Sequence, residues 1–170
     1  MIRLLLAIAC SISGMAFAAE DKVDCSNADE VSKKVKRYYD EFKKQTKFEG
    51  PNCATTLFDI AMLRAWDFGA NVRGYQIYFS DYYEDYGWRD YNNAYDIDGN
   101  PLVTKRIEHD ILRCSRRKCS YSETIGMTVP LEYLEKRRTR GLEIKVYGKA
   151  GTEVVKLPAT YVDAFLRTIK

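Results

Sequence analysis

The residues with the chemistry to react are few. The only histidine, His109, stands between Glu108 and Asp110, and the carboxylates Asp81, Glu84, Asp85 and Asp90 crowd into one short run with tyrosines. A histidine beside acids has the parts of a general base, provided an acid can orient it. On a strand, however, successive side chains point to opposite faces, so Glu108 and Asp110 cannot serve. The pattern therefore predicts a surface histidine. Paired carboxylates are the residue types of glycoside hydrolysis, which makes a carbohydrate-active enzyme working on cell-wall glycan one alternative for this chain. Clustered acids on loops are more often solvated, and no catalytic residue is assigned. Ser115–Lys118 matches the S-x-x-K spacing of penicillin-recognising enzymes, but it fills a tight turn between cysteines rather than a helix, and the companion motifs are missing. Asp96-Ile-Asp98-Gly99 has part of a calcium-loop pattern. Its twelfth position is Lys105, where a bidentate glutamate is needed, so it reads as a turn. The sequence predicts no metal and no cofactor.

The unusual constellation is aromatic. Seven of the 13 tyrosines fall between Tyr75 and Tyr95, with Trp88 among them. Aromatic rings interleaved with acids suit a grip on a cationic or amphipathic partner, or stacking on sugar rings. The candidate binding residues are Tyr82, Tyr83, Glu84, Asp85, Tyr86, Trp88, Asp90 and Tyr91. The competing expectation is that alternate tyrosines pack into a β core while the acids stay in water. The leading expectation is an exported, non-enzymatic module that binds a protein or cell-envelope component. A structural subunit of an envelope assembly is a further alternative.

The compartment follows from the chain's start and its cysteines. Arg3, the apolar run Leu4 to Ala9 and the small-residue sequence Ala16-Phe17-Ala18 have the form of a signal peptide cleaved after Ala18. This leaves residues 19–170 as one expected domain, periplasmic or secreted. Lipidation at Cys10 is disfavoured, because Ala7-Ile8-Ala9 lacks the leucine expected three places earlier. No stretch approaches the roughly 20 apolar residues of a spanning helix. Cleavage leaves Cys25, Cys53, Cys114 and Cys119, and an even count in an exported chain implies disulfides rather than zinc. Three pairings are possible; proximity favours Cys25 with Cys53 and Cys114 with Cys119. The net charge of +3 points to no partner class, nucleic acid included. Its distribution is uneven, with seven basic residues from Lys33 to Lys47 and six acidic ones from Asp81 to Asp98.

These groups need a scaffold. Ser26-Asn27-Ala28-Asp29 has the form of a capping box, and Val31, Val35, Tyr38 and Phe42 recur at helical spacing, which predicts an amphipathic helix from about Asn27 to Thr46. Cys53 to Phe68 is apolar on more than one side, as a buried helix would be, although a central strand has the same look. A strand is expected over 71–80. Asp98-Gly99 marks a hairpin, the segment from Leu102 to Cys114 returns, and residues 120–129 alternate with Tyr121, Glu123, Ile125, Met127 and Val129 on one face. Pro130 opens a short helix closed by Gly141. Leu142–Tyr147 and Glu153–Leu157 form a hairpin, and Val162, Phe165, Leu166 and Ile169 share one face of a closing helix. The fold class is α+β: an antiparallel sheet of hairpins, an N-terminal amphipathic helix and a C-terminal packing helix, stapled by disulfides.

The last third, from Cys114 to Lys170, resembles the C-terminal part of the invasion-associated locus B family of exported bacterial proteins. The residues that carry the resemblance are Cys114 and Cys119, the helix around Leu131 to Leu134, the strand Leu142 to Tyr147, then Leu157 and Phe165-Leu166. It implies a cell-envelope or secreted location and a β-rich domain. It transfers no catalytic residue.

Overall fold

The computed structural model describes residues 22–56, 58–69 and 73–170. The signal peptide, its cleavage after Ala18, Cys10, Leu57 and the predicted strand start at 71–72 lie outside the described residues. Among the described residues nine antiparallel strands form one sheet, in the order β1-β2-β3-β4-β7-β6-β5-β8-β9, accompanied by three helices. The strands are β1 Lys36–Asp40, β2 Gln45–Glu49, β3 Ile60–Asp67, β4 Arg73–Asp85, β5 Tyr91–Asp96, β6 Pro101–Cys114, β7 Cys119–Val129, β8 Leu142–Gly148 and β9 Thr152–Leu157. The helices are α1 Ala28–Lys34, α2 Leu131–Arg137 and α3 Ala159–Thr168. None of them is long and apolar enough to cross a membrane.

The front of the chain corrects two expectations. The helix predicted over 27–46 stops at Lys34, and Asn27 rather than Ser26 caps it, its side chain accepting from the N–H groups of Asp29 and Glu30. Beyond Val35 the chain turns extended. Tyr38 and Tyr39 pair with Lys47 and Thr46, and the Asp40 carboxylate accepts from the N–H groups of Phe42 and Lys43 to close the turn. Phe42, which was to complete the helical stripe, is fully exposed. A helix gains most of its stability from burying such a stripe, so strand pairing prevails where nothing covers it. The second correction is β3, where a buried helix was favoured. Ala61, Leu63 and Ala65 are buried while Ile60, Met62, Arg64 and Trp66 are only partly covered, the period of a strand.

The rest of the architecture agrees with the sequence, and β4 runs further than expected. Instead of stopping at Ser80 it continues through the tyrosine run to Asp85, paired with β7 up to Cys119. The bridges are Cys25–Cys53 and Cys114–Cys119, the pairing that proximity favours. The sheet curls until β3 and β9 touch, and α3 lies in its concavity. Tyr161, Val162, Ala164, Phe165 and Leu166 are all buried there. Ten residues are too few for a stable helix in water. Packing holds it, each large apolar side chain contributing roughly 1.5–3 kcal/mol.

Two polar links fasten this core. The Tyr161 hydroxyl accepts from Leu63 N (3.1 Å) and donates to Pro51 O (3.0 Å). A side chain on Gly50 would lie 2.1 Å from that hydroxyl, so glycine is required by close approach. At the β5–β6 turn, Gly99 takes φ +82°, and the Asp96 carboxylate accepts from the N–H groups of Asp98 and Asn100 and from Arg137 of α2. Burial pushes the Asp96 carboxyl up, but Asn100 and Arg137 outweigh burial and hold it below the usual aspartate value.

Tyr161→Phe orphans a buried N–H and a buried carbonyl with no change of shape. It should cost about 2 kcal/mol in urea unfolding. Asp96 contributes stability that is complete above its unfolded value of 3.8 and is lost as pH falls through the lower folded value. Asp96→Asn should therefore weaken the protein at pH 7 and show a shallower further loss between about pH 4 and pH 2 than the parent in acid titrations followed by circular dichroism.

Candidate functional site

The site forms where β4, β7 and β6 lie side by side. In antiparallel ladders directly opposed residues share a face, and the register opposes Asp81 to Glu123 and Glu123 to His109. One row across three strands thus carries an acid, an acid and the only histidine. The neighbouring row opposes Tyr83 to Tyr121 and Tyr121 to Ile111. The segment 86–90 then folds back over this face before β5 begins.

Glu123 is the centre. It is 1 % exposed on a face otherwise occupied by Tyr121, Ile125, Met127 and Val129. A carboxylate without partners there would be untenable, and donors converge on it. Oε1 accepts from the Tyr83 hydroxyl and from Asp90 N (2.9 Å), and Oε2 accepts from Tyr91 N (3.0 Å). Two consecutive backbone N–H groups aimed at one anion form a concave cradle. Asp90 reaches the geometry by adopting φ +57°, a left-handed conformation that Asp tolerates better than most residues. The Tyr83 hydroxyl in turn accepts from Arg89 N (2.8 Å). Burial pushes the pKa of that hydroxyl up; the Arg89 N–H opposes the shift and Glu123 reinforces it, so Tyr83 retains its proton and donates it to Glu123.

A second buried network stands beside the first. Arg89 Nη1 donates to Asp81 Oδ2 (2.8 Å), to the Tyr91 hydroxyl (3.1 Å) and to Glu153 (2.8 Å), while the Tyr91 hydroxyl donates to the same Asp81 oxygen (2.6 Å). Burial raises the Asp81 carboxyl and the Tyr91 hydroxyl; Tyr91 and Arg89 counter the shift at Asp81. The β8–β9 turn closes against the same segment, with Ala150 N donating to Arg89 O (3.0 Å). A side chain on Gly148 would strike that carbonyl at 2.1 Å. Segment 86–90 is therefore fastened from three directions.

Fastening the segment places Trp88. Its ring lies flat on the His109 imidazole, centroids 3.5 Å apart, and meets Tyr121 at 4.5 Å; Tyr121 stacks on Tyr83 at 5.4 Å. His109 is consequently not the surface histidine expected from its neighbours. Its side chain is 26 % exposed, and its Nε2 lies 3.8 Å from Glu123 Oε2. The nearest acid is on the facing strand rather than beside it in the chain, and at 3.8 Å it makes no hydrogen bond to the imidazole. Glu123 did leave a signal: one acid in the middle of an apolar alternation.

The eight predicted binding residues divide. Tyr83 and Tyr91 are buried and act as supports. Tyr82 is partly covered against Phe58, Trp88 and Asp90 are half-buried, Tyr86 is 74 % exposed beside Lys118, and Glu84 is exposed. The acidic run is largely neutralised from within. Asp81 pairs with Arg89, Asp90 with Arg106, and Asp96 and Asp98 with Arg137. Glu84 and Asp85 are left over; Glu84 accepts from the Ser120 hydroxyl at 3.3 Å and Asp85 from Tyr86 N at 2.7 Å. Asp81, one of the acids considered for glycoside hydrolysis, is held by Arg89 and Tyr91 inside the protein. Ser115 of the S-x-x-K match donates to Lys118 O within the hairpin turn, as expected of a turn residue.

No family model, curated protein or solved structure matches this chain.

Glu123→Gln tests whether the carboxylate organises the site. Whichever way the amide is turned, its NH2 faces an N–H or O–H donor, so unfolding stability should fall by about 2 kcal/mol. Tryptophan fluorescence, read in a Trp66→Phe background, should shift as the Trp88 stack loosens. Glu84→Gln, which disturbs only an exposed group, should change neither.

Proposed function

We propose that the protein is an exported binding module, periplasmic or secreted, whose partner is a protein or cell-envelope component seated on the segment Tyr82–Asp90. The observation that carries this is the fastening of segment 86–90. The segment is held at Asp90 by Glu123, at Arg89 by Glu153 and the β8–β9 turn, and at Trp88 by its stack on His109, which presents the Trp88 ring already ordered with Tyr86 beside Lys118. Prior ordering spares a partner the entropic cost of immobilising these rings. Tyrosine and tryptophan are the residues most often found to dominate binding energy. Tyr86 is the exposed anchor beside Lys118, Trp88 is half-buried next to it, and Glu84 and Asp85 supply the negative charge that remains, which favours a cationic or amphipathic contact. Tyr83, Asp90 and Tyr91 support the surface from below.

Export is supported by the leader-like start and by two disulfides, which persist in oxidising compartments. The order of elements after Cys114, similar to the invasion-associated locus B family, points to the same location.

Tyr86→Ala and Trp88→Ala should each weaken capture of an envelope partner at least about 30-fold, read by surface plasmon resonance against fractionated envelope proteins and, in a separate channel, purified cell-wall glycan. Circular dichroism should show the fold retained in Tyr86→Ala. Unchanged affinity of both variants for every fraction the parent binds would refute the surface.

A further inference from the structure

The geometry points to a divalent transition-metal site, fitted to Zn2+, formed by Asp90, His109 and Glu123. It shares Asp90 with the segment of the proposed partner surface but does not rest on that reading. One ligand atom from each of the three residues lies within 4.8 Å of the other two, and the pair His109 Nε2 and Glu123 Oε2 is 3.8 Å apart. Three ligands of a tetrahedral zinc at 2.0–2.2 Å stand about 3.4 Å from one another. His109 and Glu123 thus need to close by only a few tenths of an ångström, and Asp90 by a side-chain rotation.

The imidazole carries the strongest indication. His109 Nε2 is buried and has no hydrogen-bond partner. At 3.8 Å from Glu123 Oε2 it is too distant for a hydrogen bond and well placed for a shared cation. A buried polar nitrogen without a partner is uncommon and calls for a specific cause. The other groups are disposed as ligands require. Oε2 of Glu123 accepts a single hydrogen bond, from Tyr91 N, which leaves a lone pair on the side of His109, and Oε1 is held by Tyr83 and Asp90 N. Trp88 lies flat on the imidazole and fixes its plane. Arg106 grips one oxygen of Asp90 and leaves the second available. Outer contacts that orient ligands in this way are characteristic of metal centres.

The donor set selects the ion. One imidazole nitrogen with two carboxylates suits zinc or a related transition metal, whereas calcium and magnesium favour oxygen alone. The fourth position would take water. Bound there, the ion ties the Trp88 segment to β6 and β7.

The test uses the purified protein after chelator treatment, titrated with ZnCl2 by calorimetry and by Trp88 fluorescence, with MgCl2 and CaCl2 as comparisons. One zinc per chain should bind, raise Tm and perturb the tryptophan emission, while magnesium and calcium do neither at equal concentration. His109→Phe preserves an aromatic ring against Trp88 without a ligand atom, and Asp90→Asn preserves a residue tolerant of positive φ. Each should weaken zinc at least about 100-fold, beyond the range typical of outer-contact mutations. Absence of saturable 1:1 binding, or affinity unchanged from the parent in either variant, would overturn the assignment.

Discussion

A carboxylate buried on the otherwise apolar covered face of β7 governs the local structure. Glu123 sits between Tyr121 and Ile125 on the covered face of β7 and can remain there only if its oxygens are supplied with donors. One donor, Tyr83, comes from the adjacent strand. The others are backbone N–H groups of Asp90 and Tyr91, which must be brought back over the sheet to reach it. The chain therefore reverses after Asp85, Asp90 accepts a left-handed conformation, and β5 is launched in the direction that lets it pair with β8. Replacing the acid alone by an apolar residue would leave the Tyr83 hydroxyl and two N–H groups without acceptors, so the acid and its donors form one unit. What the acid provides is one unique path for segment 86–90.

That path joins two halves of the sheet. β1, β2, β3, β4, β7 and β6 form a continuous ladder, and β5, β8 and β9 another; β6 and β5 are linked through the register pairs of Leu102 with Ala94 and Pro101 with Tyr95. Both halves share one core with α3. The Tyr161 hydroxyl then reaches across from α3 to β3 and the loop before it, closing the barrel-like curl with two hydrogen bonds. Arg89 acts similarly at the seam's other side, connecting β4 through Asp81 with β9 through Glu153. The networks that define the candidate site are thus also the fastening between the halves, and the aromatic residues above them inherit its rigidity.

Much of this was legible in the residues. Glycine and proline marked the hairpin at Asp98-Gly99 and the start of α2, alternation marked β7, β8 and β9, and spacing of i, i+3, i+4 and i+7 marked α3. The front half was less so. Val31, Val35, Tyr38 and Phe42 satisfy a helical period, while Tyr38-Tyr39 and Thr46-Lys47-Phe48 have the composition of strands, and the choice depended on whether anything would cover Phe42. The short apolar run Ile60–Asp67 was ambiguous for the same reason. At the site, the run of carboxylates overstates the negative surface, because Arg106 and Arg137 reach Asp90, Asp96 and Asp98 from outside the Asp81–Asp98 stretch, adding to Arg89 within it.

By itself the sequence determined the local grammar: which cysteines stand near enough to pair, where turns fall, which strand faces are apolar, and that Tyr75 to Tyr95 is unusually aromatic. Tertiary structure alone decided which of those aromatics face outward, that His109 meets Glu123 rather than Glu108 or Asp110, and that Trp88 covers the pair. The physical reason is the range of the forces involved. Backbone sterics and side-chain periodicity act over a few residues and are written in neighbouring letters, whereas strand register and the satisfaction of buried charge join residues such as Tyr83, Asp90, His109 and Glu123 whose proximity exists only after the sheet has formed.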